Sequence, residues 1–379
     1  MDIQKFAVEE WMNKYEMDAV YNLAETCCDS LTFEELITID GTDPAYFFGE
    51  MLKKKLTYGY IEGSLDFRSL AANEYSNIAP EQVLIMNGAI GANFLLMYSL
   101  LRPGDHVISV HPTYQQLYSI GPSFGVEVDL LPLRPSNGFL PDLDELRSLV
   151  KPNTRMICIN NPNNPTGALM QRKTLEAIVD IAYANDVYLL CDEVYRPLWQ
   201  SKKVDVPSIV ELYDKGISTS SMSKAYSLAG LRLGWIATPS KEVMEACLSH
   251  RDYTTISCPM IDDMLAVHAL KNRDKILKRN LSLIRRNLGV LNEWVSTQAH
   301  FSYVKPEAGT TAMLRYDIDI SSDEFCTNLF KTNGTFLTPG RCFDMENYVR
   351  MGYACSTDVL KSGLGQISAY VQQLTSYVC

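Results

Sequence analysis

Between residues 82 and 238, short apolar runs alternate with stretches of helical periodicity, and this alternation narrows the fold more than any other feature of the chain. Residues 83–86 (Val-Leu-Ile-Met), 107–110, 126–133, 156–159 and 187–191 read as buried strands, and two further segments flank Lys224. Helical patterns over 89–101 and 173–185 lie between them. Such an order specifies an α/β sheet, largely parallel, with helices on both faces. Ligands then belong at the carboxyl ends of the strands.

Past this region, Leu277, Leu281, Ile284, Leu288, Leu291 and Val295 step by fours and threes, which marks a long amphipathic helix over 273–298 able to connect two domains. Strand-like 311–315 and 348–354 and helical 322–332 follow, forming a smaller α/β domain. A helix over 8–15 packs on that domain or on a partner subunit; the sequence leaves both open.

With 379 residues the chain can bury a large core and make two packed units. The formal charge of −11 disfavours a nucleic-acid interface, which uses a basic face. The opening residues carry acids where a signal peptide has a basic region, and no apolar run reaches the roughly 18 residues of a membrane span. A cytoplasmic protein that binds no membrane is expected. Ten cysteines include no Cys-x-x-Cys pair and sit in apolar contexts such as 156–159, as small core hydrophobes in a reducing compartment. The five histidines lack ligand spacing, so no metal is expected.

Candidate chemistry gathers at the strand ends. Lys224 stands among hydroxyl residues in 218–235, with Arg232 eight positions on. Hydroxyls and an arginine make a phosphate site, and a lysine beside one suggests covalent attachment of pyridoxal phosphate (PLP). Asn87-Gly88-Ala89-Ile90-Gly91-Ala92 ends a strand and opens a helix, so its backbone N–H groups can meet an anion; it lacks the nucleotide-loop and dinucleotide fingerprints. The loop 160–167 offers asparagine amides at another strand end. Asp192 ends the strand 187–191, where a buried carboxylate needs a cationic or donor partner and a protonated pyridine nitrogen would serve.

Asn-Pro-Asn-Asn-Pro-Thr-Gly (161–167), Asp-Glu-Val-Tyr (192–195), Ser-Met-Ser-Lys-Ala-Tyr (221–226) and Gly-Leu-Arg-Leu-Gly (230–234) together resemble the signature blocks of fold-type I, PLP-dependent class I/II aminotransferases. The resemblance extends over nearly the whole chain. It implies a large domain with a mainly parallel seven-stranded sheet (46–284), a small α/β domain built from the N-terminal segment 1–45 and from 285–379, and a homodimer with shared active sites. It further implies that Lys224 forms the internal aldimine with pyridoxal 5'-phosphate, that Asp192 pairs with the pyridine nitrogen, and that Tyr195 and Asn164 hydrogen-bond the phenolate oxygen. Arg232, Ser221, Ser223 and the backbone at Ala89 and Ile90 would hold the phosphate. Tyr114 would stack on the ring, Tyr58 would reach the partner's phosphate, and Arg350, with Asn164, would bind the substrate.

The implied reaction moves an amino group between an amino acid and a 2-oxo acid, with Lys224 carrying the proton at a pKa lowered by burial and nearby cations. Residues 251–257 and 339–343 are also similar to the corresponding parts of capreomycidine synthase, a family member that eliminates and cyclises, which sets a β-elimination, replacement or cyclisation enzyme as the alternative. The segment 22–28 lies where the N-terminal region of the family closes over substrate; it is a specificity element or a plain structural loop. No second arginine can be assigned to a side-chain carboxylate.

Overall fold

A computed structural model describes residues 2–201 and 204–376. A short N-terminal helix, α1 (Ala7–Tyr15), precedes the large sheet. That sheet has seven strands: β1 (Val83–Met86), β2 (His106–His111), β3 (Glu127–Pro132), β4 (Thr154–Asn160), β5 (Tyr188–Asp192), β6 (Gly216–Ser221) and β7 (Gly234–Ala237). Their spatial order is β1-β7-β6-β5-β4-β2-β3. Only β7 runs against its neighbours; every other pairing is parallel. The expected α/β class, with a mainly parallel seven-stranded sheet, is therefore the observed one.

The central strands are apolar because both faces of the sheet are covered. Successive side chains point to opposite faces, so Ile157 and Ile159 of β4 join one core while Met156 and Cys158 join the other. The same division separates Leu189 from Leu190 in β5. Helix α2 (Gly88–Leu100) leaves β1 directly and packs with the second core through Leu95, Leu96 and Leu100.

Helix α3 (Arg273–Thr297) is the long amphipathic helix expected from the apolar spacing. Its buried seam also carries two amides that the apolar pattern does not announce. Asn280 Nδ2 donates to Ala225 O and Ser227 Oγ, both at 2.8 Å, and so holds the turn that follows Lys224. Asn287 Nδ2 donates to Tyr353 O and Cys355 O, also at 2.8 Å, tying the helix to the C-terminal region.

In that region Thr311–Tyr316 lies between antiparallel neighbours Phe301–Tyr303 and Tyr348–Gly352. Chain ends meet where Tyr21–Asn22 pairs in parallel with Thr335–Phe336. Helix α1 is fastened at the same place: Trp11 Nε1 donates to Leu337 O at 2.8 Å, and Tyr15 packs on Phe330 and Phe336. Its N-terminal end reaches across to the large sheet, where Gln115 accepts from Ala7 N and Tyr114 donates to Glu9. Among the described residues no helix is long and apolar enough to cross a membrane, and no cluster of histidine, cysteine and carboxylate side chains could hold a metal ion.

Candidate active site

A cavity of about 340 Å³ opens at the carboxyl ends of the parallel strands, between the large sheet and the segment running from α1 to Cys27. Ala89, Ile90, Tyr114, Asn164, Asp192, Tyr195, Ser221, Ser223, Lys224, Arg232 and Arg350 all line it. Tyr58 is apart from the others: it is 79% exposed and borders a different hollow with Lys54 and Met260.

Asp192 ends β5 and is buried, with Oδ2 accepting from Asn93 Nδ2 at 2.9 Å and Oδ1 accepting from Val194 N at 3.2 Å. It has no salt bridge among the described residues. Burial lifts its carboxyl to about 6, against the opposing pull of the Asn93 amide and of Lys224. A carboxylate so placed is stabilised by a cation brought from outside the chain.

Lys224 Nζ donates to Thr26 Oγ1 at 2.7 Å and to Cys27 Sγ at 3.4 Å. Burial favours its neutral form, but Cys27, Tyr195, Glu25 and Tyr114 gather around it and leave its pKa raised. This corrects the expectation of a lowered value. Neighbouring cations were to depress it; the groups that actually face the amine are a thiol, two phenols and a carboxylate. Cys27 also departs from its expected role as a core hydrophobe, since it lines the cavity; the other described cysteines are free, and all but Cys355 are buried.

The phosphate cradle is built from a helix start and a cation. Asn87 at the N-terminus of α2 gives no side-chain cap, which leaves the first N–H groups of the helix to a ligand. Gly88 has φ +71° and lies against the arginine: a Cβ there would meet Arg232 Nη2 at 3.0 Å. At Gly234 a Cβ would come within 2.8 Å of Ala89 N, so close strand-to-helix approach also requires glycine. Arg232 itself has φ +50°, an unusual conformation for a side-chain-bearing residue, and its Nη1 donates to Ala229 O at 2.9 Å and to Ser223 Oγ at 3.4 Å. It pairs with no carboxylate among the described residues.

Arg350, in the strand Tyr348–Gly352, is 2% exposed and likewise has no carboxylate partner. Its Nη1 donates to Asn164 Oδ1 at 3.3 Å, its Nη2 to Ala24 O and Thr338 Oγ1 at 3.1 Å, and its Nε to nothing. Tyr195 Oη is buried and unpartnered, and burial raises its pKa against the opposing pull of Lys224 and Thr26. Asn164 N donates to Asn160 Oδ1 at 2.6 Å, which fixes the loop after β4.

These residues fit PLP: a helix start and Arg232 for its phosphate, Lys224 for its carbonyl carbon, Asp192 for its ring nitrogen, and the orphaned Tyr195 hydroxyl for a ring oxygen. Sequence reasoning missed Asn93, whose Oδ1 is in turn held by Thr219 Oγ1 at 2.8 Å. A lone amide inside the apolar run of α2 was the available signal. It also missed Glu9 and Glu16 as cavity residues, whereas Glu25, Thr26 and Cys27 fall in the segment 22–28, which the sequence leaves open as a specificity element or a structural loop.

The chain matches the family model for aminotransferase class I and II over residues 50–367. It is 45% identical to a PLP-dependent aminotransferase from Streptococcus suis, whose crystal structure superposes with a TM-score of 0.96 over 99% of both chains. Among curated relatives, capreomycidine synthase of Streptomyces vinaceus is 29% identical across 95% of this chain and 92% of the relative. An arginine–pyruvate transaminase of Pseudomonas aeruginosa is 25% identical across 90% and 91% respectively. With the cavity fitted to PLP and the match spanning most of its length, the chain belongs to the aminotransferase class I and II family and is a PLP-dependent aminotransferase.

Proposed function

We propose that the cavity transfers an amino group from an α-amino acid to a 2-oxo acid, with Lys224 as the covalent anchor and proton carrier. The observation that supports this most is the buried, unpaired Asp192 on one side of a cavity whose other walls hold Lys224 and the unpaired Arg350. When bound, PLP supplies a carbonyl carbon that condenses with amines and a ring that accepts the electrons left when the Cα proton departs. Asp192 keeps the ring nitrogen protonated, held in orientation by Asn93. Asn164 and Tyr195 would donate to the ring oxygen, and Tyr114 would cover the ring. Ser221, Ser223, Arg232 and the backbone at Ala89 and Ile90 would hold the phosphate. Arg350 forks onto the substrate carboxylate and aligns the Cα–H bond. Lys224 Nζ would anchor the cofactor covalently and, when neutral, would carry the Cα proton.

The domain boundaries 1–45, 46–284 and 285–379 belong to the same reading, as does a homodimer. Tyr46, Phe48, Leu52, Leu56, Tyr58 and Tyr60 leave an exposed apolar stretch on one chain, which a second copy would cover while Tyr58 reached its phosphate. Reduced, buried thiols suit the cytoplasm.

A second reading, elimination with cyclisation, is favoured by the likeness to capreomycidine synthase. Incubating the PLP-loaded protein with a panel of amino acids separates the two. Transamination yields a 2-oxo acid and the aminated cofactor in equal amounts; a cyclised or dehydrated amino acid with unchanged cofactor would establish the second.

A further inference from the structure

Three carboxylates, Glu9, Glu16 and Glu25, line the cavity on the side away from the sheet. The cations that share the cavity are Lys224, Arg232 and Arg350. On the reading above each of those is already engaged: Lys224 by the cofactor carbon, Arg232 by the phosphate and Arg350 by the substrate carboxylate. Asp192 is engaged by the ring nitrogen. The three glutamates are left without a cation, and none forms a salt bridge among the described residues.

Their hydrogen bonds leave acceptor capacity to spare. Glu9 Oε1 accepts from Tyr114 Oη at 2.8 Å, Glu16 Oε1 only from Asn22 Nδ2 at a long 3.4 Å, and Glu25 Oε1 from the backbone N–H groups of Thr26 and Cys27 at 2.6 and 2.8 Å. Among the described residues the second carboxylate oxygens of Glu9 and Glu16 have no hydrogen-bond partner, while the Cys27 thiol adds to the bonds on Glu25. Two polar groups more than nine-tenths buried, Arg350 Nε and Tyr195 Oη, border the same space without hydrogen bonds; on the reading above the substrate carboxylate and the cofactor complete them, which seats the amino acid in the cavity that the glutamates line. Burial and then the nearby Glu25 charge raise the Glu16 carboxyl, so the two acids sense one another. A cation beside Glu16 would offset that repulsion; Glu25 is held below its ordinary range, its burial outweighed by Lys224 and by the Cys27 and Thr26 N–H groups.

We infer that this enzyme takes an α-amino acid whose side chain ends in a cation, an ammonium or guanidinium group seated between Glu16 and Glu25 at the cover of the cavity. The inference rests on the amino-acid-binding reading above but not on the fate of the product. A side-chain carboxylate would be repelled there, and no arginine of the cover stands ready to bind one.

The test is calorimetric binding of arginine, lysine and ornithine to the PLP-loaded enzyme, against citrulline and norleucine as neutral counterparts, followed by product analysis. Cationic amino acids should bind roughly 10- to 100-fold more tightly than their neutral counterparts, the range of a charge-assisted hydrogen bond. The arginine and lysine arms show whether guanidinium or ammonium fits better. Glu16→Gln should erase most of the arginine-to-citrulline ratio while citrulline binding stays within about twofold, and Glu25→Gln should also reduce that ratio. Glu25 also holds two backbone amides, so Glu16→Gln provides the cleaner variant. Equal affinity for arginine and citrulline, or an equal loss for both in Glu16→Gln, would overturn the inference while leaving transamination intact. Selective arginine binding without any 2-oxo acid would uphold it and count against transamination instead.

Discussion

The floor and the cover of the cavity are built differently. On the floor, Asp192, Asn93, Asn160 and Thr219 are buried at strand ends or on α2 and locked into a chain of hydrogen bonds running from Thr219 through Asn93 to Asp192. The cover comes from α1 and the segment ending at Cys27; Glu9, Glu16 and Glu25 are only half-buried, and one bond between them and their surroundings stretches to 3.4 Å. Rigid placement suits groups that must meet the same cofactor in every turnover. A half-buried carboxylate held by one long bond, as Glu16 is, suits a group that chooses between substrates. On the reading proposed above, the contrast puts reaction type and substrate choice in different parts of this chain.

If that division holds, substitutions in the floor should weaken the reaction for every amino acid alike, and substitutions in the cover should change ratios between amino acids. Lys224→Ala has the largest expected effect: loss of covalently attached cofactor and of turnover by at least about a thousandfold, with the far-ultraviolet spectrum unchanged. Turnover near the wild-type rate would remove Lys224 from the chemistry. Asp192→Asn keeps the shape and removes the charge, so Cα deprotonation should slow by several kcal/mol, about 3 to 4, in single-turnover measurements. A half-reaction of ordinary speed would mean that the ring nitrogen has another partner.

Arg350→Lys retains a charge and loses the fork, and should cost roughly 2 to 5 kcal/mol for amino acids but much less for their decarboxylated amines. Equal losses for both would make Arg350 a support of the fold. The smallest effect concerns pH in the cofactor-free protein. Burial lifts Asp192 from its ordinary 3.8 to about 6. The folded form therefore holds that proton more tightly than the unfolded one, so the contribution is full below about pH 4 and is lost as pH rises through about 6, on the order of 2 to 3 kcal/mol. Urea titrations from pH 4 to 7.5 should show a flatter profile in Asp192→Asn than in wild type, and identical profiles would contradict the assignment.

Most of the floor was legible in the sequence because its residues sit in short local patterns. Asp192 follows an apolar run, and Lys224 lies between two strand-like segments. Asn93 was not, since its value comes from a tertiary contact with a residue 99 positions away. The cover was the least legible. On α1 and just past its end the acids look like the solvent face of an amphipathic helix, and only the fold turns Glu9 and Glu16 toward a cavity. The same blindness explains the Lys224 correction: the sequence displayed Arg232 nearby, whereas Thr26 and Cys27, almost two hundred residues earlier, are what touch the amine. Tyr58 remains exposed on a single chain, and its role depends on a second copy.

The most direct measurement is borohydride reduction of the PLP-loaded protein followed by peptide mapping. A floor organised as described predicts that the reduced cofactor is fixed to the peptide containing Lys224, and that Glu16→Gln leaves both the site and the extent of labelling unchanged. Labelling of any other lysine, or loss of labelling in Glu16→Gln, would contradict it.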